Sequence, residues 1–210
     1  MPPVRILFHP EPIRVNYRAV RGLVPSLWRR DHRDGEDFGQ GKRIDVVIHI
    51  GMAGPQLQYS LEKLGHRDGY GKYKDVDNEP CGDEERREKE GSEWVWDGCP
   101  DRLETDFDTE DVLRRWRKHC PAHRHYLKMS TDAGHFLCDF IYFSSLAYLY
   151  KRNEQRRVVF LHVPSDGSEE ALERGREVVV KLIRSLVESE LEREKKDFGG
   201  AVQESVEDKL

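Results

Sequence analysis

Four short apolar runs, rich in β-branched residues, limit the folds open to this chain. Each run is nearly continuous, which predicts a strand buried on both faces of a sheet. Helical patterns separate the runs, so the connections must cross over the sheet. The predicted strands are residues 4–9, 44–51, 125–130 and 157–164, and the predicted helices are about 15–30, 109–119, 134–151 and 169–190. We therefore predict an α/β fold, with an open, mostly parallel sheet and helices on both faces in three α/β/α layers.

Length and charge distribution predict one domain with two charged additions. A chain of 210 residues supports one core of ordinary size, so residues 1–190 are predicted to form a single α/β domain. Residues 78–106 carry a charge run that would repel itself inside a core, which predicts a surface insertion held at its far end by Trp94 and Trp96. Residues 191–210 are charged and interrupted by glycines, which predicts a frayed or disordered C-terminal tail.

Composition argues against several classes of protein. The net charge is only −5 with both signs interspersed, so nucleic acid is not an expected partner. No apolar run is long enough to cross a bilayer and the first residues lack signal-peptide features, so we expect a cytoplasmic protein with no membrane partner. The cysteines form no C-x-x-C pair and have no histidines at matching spacing, which argues against a disulfide framework and a zinc site. No metal or cofactor is predicted.

Cys138 is a candidate nucleophile because it follows a predicted strand at the start of a predicted helix, in "STDAGHFLCDF" (130–140). Asp132 is predicted to cap a helix that begins at about Ala133, with Cys138 in its first turn or two. The helix dipole favours an anion there by roughly 0.3 to 1 kcal/mol. An ordinary cysteine is only about 3% thiolate at pH 7, so a nucleophilic role also requires a neighbouring imidazolium.

His162 is the histidine best placed to supply that imidazolium. It ends the last predicted strand, and open α/β sheets place their sites at the carboxyl ends of parallel strands. His135 is nearer along the helix but poorly placed to reach a leaving group. Glu62, beyond the run at 44–51, fits by position the carboxylate that would orient the imidazole. Each residue alone also fits a structural role, namely a packed thiol, a hydrogen-bonded histidine and a surface carboxylate.

Three segments of the chain resemble the pyroglutamyl peptidase I family of cysteine peptidases. The segment "STDAGHFLCDFIYFSSLAYLY" is similar to the family's S-x-D-A-G-x-(aromatic)-x-C-(D/N) motif, "FLHVP" to its histidine segment and "HIGMAGPQLQYSLEKLGHRDGY" to its glutamate segment. The resemblance covers residues from about 4 to 187. It implies that Cys138, His162 and Glu62 are catalytic. It also implies hydrolysis of N-terminal pyroglutamyl residues from peptide substrates, with no cofactor.

One departure from the family pattern keeps a second reading open. The family opens with a strand that ends in a T-G-F-x-P-F-G loop, whose phenylalanines enclose the pyroglutamyl ring, and this chain starts at the equivalent of the next strand. We therefore expect a missing piece of sheet and pocket wall. The alternative is a truncated, non-catalytic homologue that acts as a binding or interaction protein, and exposed apolar surface would favour a homo-oligomer. Glutamine amidotransferase-like hydrolases fit less well, because "FLCDF" lacks the glycines of their G-x-C-x-G elbow.

Overall fold

The computed structural model describes residues 1–28 and 44–207, with side chains up to residue 196. Within these residues the α-helices are α1 (Tyr17–Trp28), α2 (Asp83–Glu90), α3 (Thr109–His119), α4 (Leu137–Lys151) and α5 (Glu169–Glu207). The strands are β1 (Val47–Met52), β2 (Tyr59–Glu62), β3 (Leu64–His66), β4 (Arg102–Glu104), β5 (Leu127–Ser130) and β6 (Val158–Val163). Residues 29 and 30 of the predicted first helix, and 208–210 of the predicted tail, lie outside the described residues.

Four of these strands form the main sheet, in the order β1-β6-β2-β5. The pairs β1–β6 and β2–β5 are parallel, whereas the central pair β2–β6 is antiparallel. The predicted α/β class with a mostly parallel sheet is therefore confirmed. The antiparallel pair was not predicted, because the four residues of β2 are too few for a strand pattern to stand out in the sequence.

Alternation along β6 divides the core between two helical layers. Val158 and Phe160 pack on one face with residues of α1 and α4. Val159 and Leu161 pack on the other face with residues of α3 and α5. Successive side chains of a strand point to opposite faces, so His162, the next residue after Leu161, points to the face that α4 covers. Helices on both faces of the sheet are thus confirmed.

The segment 4–9 is not a strand, so that prediction is wrong. It lies outside the sheet, and Val4, Ile6 and Phe8 are exposed. Apolar character is not sufficient for a strand, because the backbone N–H and C=O groups also need a partner strand. The chain is anchored further on, where Arg14 donates to Asp77 at 3.0 Å and the Tyr17 N–H donates to the buried Asp75 carboxylate at 3.2 Å.

Helix α5 is longer than predicted and continues past residue 190 to Glu207. The expectation of a frayed segment directly after residue 190 is therefore wrong. Ser168 caps the helix as predicted, since its hydroxyl accepts a backbone N–H of the first turn. The apolar stripe of α5 fades after residue 187. Beyond it, ion pairs hold the helix: Nη2 of Arg157 lies 3.2 Å from Oε2 of Glu190 and 3.6 Å from Oε1 of Glu194. Charged residues of high helix propensity thus extend the helix beyond its buried face.

The region 78–106 contains α2 and β4. No residue of α2 is buried. β4 pairs antiparallel with β3 in a separate two-stranded sheet. Trp94 and Trp96 are 2% and 3% exposed and pack in the same core cluster as α4, in agreement with the sequence. None of the helices in the described ranges has the length and apolar character of a membrane span.

Candidate active site

His162 lies on β6 beneath α4, and its side chain is 10% exposed. Its ring packs against Phe160, with 4.7 Å between ring centroids. Nδ1 lies 2.8 Å from Oε1 of Glu62, so Nδ1–H donates to the carboxylate and Nε2 is left for another partner. Because β6 has β1 on one side and β2 on the other, the backbone that carries the ring is fixed from both sides.

Glu62 is the last residue of β2 and is 1% exposed. In the antiparallel ladder Ser60 lies opposite His162, and Glu62 lies opposite Phe160. The carboxylate therefore reaches the imidazole diagonally, on one face of two neighbouring strands. The Tyr142 hydroxyl donates to the backbone oxygen of Glu62 at 3.0 Å and ties β2 to α4. The second carboxylate oxygen of Glu62 is buried and accepts no hydrogen bond from the described residues.

Cys138 is the second residue of α4 and is half-buried. Gly51 on β1 gives its sulfur room, because a Cβ at Gly51 would lie 2.9 Å from Cys138 Sγ and 2.8 Å from Cζ of Phe160. Gly51 is also the partner of His162 in the parallel β1–β6 ladder. The sulfur thus lies over this strand pair, close enough to the His162 imidazole to raise the pKa of the ring.

The two neighbours of His162 determine its charge. Burial lowers the pKa of His162, but the hydrogen bonds and negative charge of Cys138 and Glu62 outweigh burial and raise the pKa to about 9. The imidazole is therefore protonated at neutral pH.

The three residues singled out in the sequence lie together, although not for the reason the sequence suggested. The argument from the carboxyl ends of parallel strands is wrong, because Glu62 and His162 lie on antiparallel strands. The predicted Asp132 cap is also wrong: its carboxylate accepts the Gly134 N–H at 2.9 Å in a turn that precedes α4. The position of Cys138 in the first helical turn is confirmed.

A second polar group, which was not predicted from the sequence, lies directly beside Cys138. Asp139 is fully buried, and its carboxylate accepts the backbone N–H of His66 at 3.1 Å and lies 3.0 Å from His66 Nδ1. Burial raises the pKa of Asp139 to about 8, and the hydrogen bond from the His66 backbone N–H partly opposes this. The only sequence signal was the acidic residue after the cysteine, because His66 is 73 residues away.

Solved structures of pyrrolidone carboxyl peptidases have a fold similar to that of this chain. A mutant pyrrolidone carboxyl peptidase from the hyperthermophile Pyrococcus furiosus matches with a TM-score of 0.58 and 17% identity, over 86% of this chain and 80% of that one. The enzyme from Fervidobacterium islandicum matches with a TM-score of 0.58 and 18% identity, over 84% and 79% of the two chains. Pyroglutamyl peptidase I from Bacillus amyloliquefaciens gives a TM-score of 0.56 and 18% identity, over 83% and 74%. The chain thus has the α/β fold of the pyrrolidone carboxyl peptidases.

The chain is also similar in sequence to curated mammalian proteins. Human pyroglutamyl-peptidase 1 is 30% identical over 159 residues, which are 76% of this chain and 63% of the human protein. The rat protein of the same name is 31% identical over the same shares. No family model matches the chain. The chain spans less than two thirds of the length of these relatives, and the match covers about three quarters of the chain itself.

Proposed function

We propose that this protein is a cysteine peptidase that removes N-terminal pyroglutamyl residues from peptides, with Cys138, His162 and Glu62 as its catalytic residues. One observation carries the chemical part of the proposal: the His162 imidazole hydrogen-bonds a buried carboxylate and has a half-buried thiol beside it, and both neighbours raise the pKa of the ring. Sequence similarity supports the substrate class, since relatives about 30% identical are named pyroglutamyl-peptidase 1.

The proposed reaction has two steps. The Cys138 sulfur attacks the carbonyl carbon that joins the lactam to the next residue, and protonated His162 gives its proton to the leaving amine as the C–N bond breaks. A thioester remains on Cys138. Water then loses a proton to His162 and attacks the thioester carbon, which releases pyroglutamate and the thiol. Throughout both steps the Nδ1–H group of His162 donates a hydrogen bond to the Glu62 carboxylate. This hydrogen bond fixes the orientation of the ring and stabilises the imidazolium.

The start of α4 offers donors for the oxyanion that forms in each step. The first hydrogen bond at this end of the helix runs from the Phe140 N–H to the Phe136 oxygen. The N–H groups of Leu137, Cys138 and Asp139 therefore have no acceptor within the helix. In the proposed reaction the Cys138 N–H and a neighbouring N–H stabilise the developing negative charge.

The test is release of a fluorophore from a pyroglutamyl conjugate by the full chain. The parent protein should release the fluorophore, and Cys138→Ala should reduce the rate of release by roughly 1000-fold or more. The control Cys99→Ala removes a buried thiol elsewhere and should retain most of the parent's activity. Equal rates in the parent and Cys138→Ala would reject the proposal. So would an inactive parent whose circular dichroism shows a folded protein. No observation in the described ranges favours the alternative of a non-catalytic binding protein.

A further inference from the structure

Two histidines and one carboxylate form a compact cluster at the start of α4. His66 ends β3, Asp139 is the third residue of α4, and His135 lies in the turn before that helix. Asp139 Oδ2 is 3.0 Å from His66 Nδ1 and 3.9 Å from His135 Nδ1. One ligand atom from each of the three residues lies within 4.8 Å of the other two.

The cluster is anchored at one end and open at the other. Asp139 is fully buried, the His66 side chain is 13% exposed and the His135 side chain is 47% exposed. Oδ1 of Asp139 already accepts the His66 N–H, so the carboxylate is oriented with Oδ2 toward both imidazoles. A hydrogen bond of this kind, from the protein to a ligating carboxylate, is the usual support behind a metal ligand.

The backbone beside the cluster also leaves space for His135. A Cβ at Gly69 would lie 2.8 Å from His135 Nδ1, and Gly69 has a φ of +102°, which L side chains rarely adopt. A glycine at this position therefore allows the imidazole to lie close over the loop that follows His66.

The donor set fits one group of cations. Zinc binds imidazole nitrogen and carboxylate oxygen at about 2.0 to 2.2 Å, so its tetrahedral ligands are about 3.4 Å apart. The two distances to Asp139 Oδ2, 3.0 and 3.9 Å, lie on either side of that spacing. Calcium and magnesium prefer oxygen ligands throughout, and two nitrogens of three donors disfavour them.

We propose that His66, His135 and Asp139 bind a divalent zinc-class cation, with the fourth coordination position open to solvent on the His135 side. The metal proposal does not depend on the proposed peptidase chemistry, since none of these three side chains takes part in it. Because Asp139 follows Cys138 directly, a bound cation would join β3 to the helical turn that carries the thiol.

The experiment is a Co²⁺ titration of the full chain carrying Cys138→Ala, which removes the half-buried thiol as a competing ligand. We expect one Co²⁺ per chain, visible d–d bands typical of tetrahedral geometry and no sulfur-to-cobalt charge-transfer band. Addition of His135→Ala should weaken binding by more than about 100-fold, since loss of even a supporting hydrogen bond costs 10 to 100-fold. The matched control His125→Ala, another exposed histidine, should bind as before.

A second readout separates metal binding from misfolding. Zn²⁺ should raise the Tm of the Cys138→Ala protein and should not raise that of Cys138→Ala with His135→Ala, whereas the two should melt alike without metal. His135 is half-exposed, so its loss leaves the buried hydrogen bonds of Asp139 to His66 in place. The proposal is overturned if the Cys138→Ala protein binds no Co²⁺, if a thiolate charge-transfer band appears, or if His135→Ala and His125→Ala weaken binding equally.

Discussion

His162 and Glu62 are 100 residues apart in the chain and 2.8 Å apart in the fold, joined diagonally across an antiparallel strand pair. Because both residues belong to the middle strands of the sheet, their separation is set by the backbone ladder rather than by a loop. The Cys138 thiol, by contrast, lies on helix α4.

Glu62→Gln should lower the pH at which activity declines on the alkaline side. The pKa of His162 is about 9, and Glu62 is one of the two groups that raise it. The ring is protonated below this pKa and can no longer serve as the proton donor above it, so kcat/KM of the parent should fall as pH rises through about 9. Without the carboxylate charge the decline should begin at lower pH, and kcat should drop by up to about 10,000-fold.

A pH profile of kcat/KM for the parent, Glu62→Gln and Glu173→Gln checks this prediction. Glu173 is an exposed carboxylate on α5, so its substitution should leave the profile unchanged. An unchanged alkaline limb in Glu62→Gln would contradict the assigned contact.

Gly51→Ala should impair activity by displacing the thiol. The new methyl group would lie 2.9 Å from Cys138 Sγ and 2.8 Å from the Phe160 ring, both too close, so the sulfur or the ring must move. Overpacking of this kind costs about 1 to 3 kcal/mol of stability. Urea unfolding and turnover of the pyroglutamyl conjugate measure the two effects.

Gly22→Ala is the matched control for that substitution. Gly22 lies in α1, and an added Cβ there would have none of its described neighbours within 4 Å, so alanine should stabilise the protein by about 0.5 to 1 kcal/mol and leave turnover unchanged. Full activity in Gly51→Ala would show that the thiol does not need this space.

Tyr142→Phe should loosen the strand that carries the carboxylate. The hydroxyl donates to the Glu62 backbone oxygen at 3.0 Å in a fully buried setting, and its loss leaves that oxygen without this donor. We expect a loss of about 1 to 3 kcal/mol in the free energy of unfolding. The half-buried Tyr148, changed to Phe in parallel, should show less than half of that loss in urea unfolding; equal losses would contradict the role of the hydrogen bond.

His49 should make stability fall in acid. This fully buried ring hydrogen-bonds Ser145 at 2.9 Å, and burial lowers the pKa of His49 from 6.5 to about 4. Between pH 6.5 and 4 the unfolded chain binds a proton that the folded ring does not. The stabilisation from the neutral ring is therefore complete above pH 6.5 and is lost as pH falls toward 4, by about 2 kcal/mol between pH 7 and pH 5.

Urea unfolding at pH 7 and pH 5 measures this loss. The stability difference between parent and His49→Gln should shrink by about 2 kcal/mol from pH 7 to pH 5. His125→Gln, at an exposed position, should follow the parent at both pH values. A His49→Gln protein with the parent's pH dependence would refute the assignment.

The sequence predicted those parts of the fold that depend on local pattern. The limits of α3 and the start of α5 follow from periodicity and capping, and the alternation in "VVFLHV" is enough to separate His162 from the α5 side of the sheet. Strand direction is a different matter, since four residues of β2 contain no signal for antiparallel pairing with a strand about 100 residues away. The segment 4–9 failed for the related reason that a strand depends on a partner, which its own residues do not supply.

The candidate site was predictable to the same extent. A cysteine at a helix start and a histidine at a strand end are local signals, whereas burial of Glu62 is not visible in "SLEKLG". The Asp139 contact with His66 and the close approach of Gly51 to the sulfur both arise from packing between distant segments, and no spacing rule reports them.

The ladder around β2 and β6 has a consequence for how the proposed site can move. The Glu62 carboxylate and the His162 imidazole belong to two strands that are hydrogen-bonded to each other. Any motion that changes the distance from the Cys138 sulfur to the His162 ring therefore has to come from the first turn of α4 and the loop before it. Amide protons of residues 60–62 and 160–162 should then exchange with solvent only when the whole domain opens, while those of 131–136 exchange far sooner.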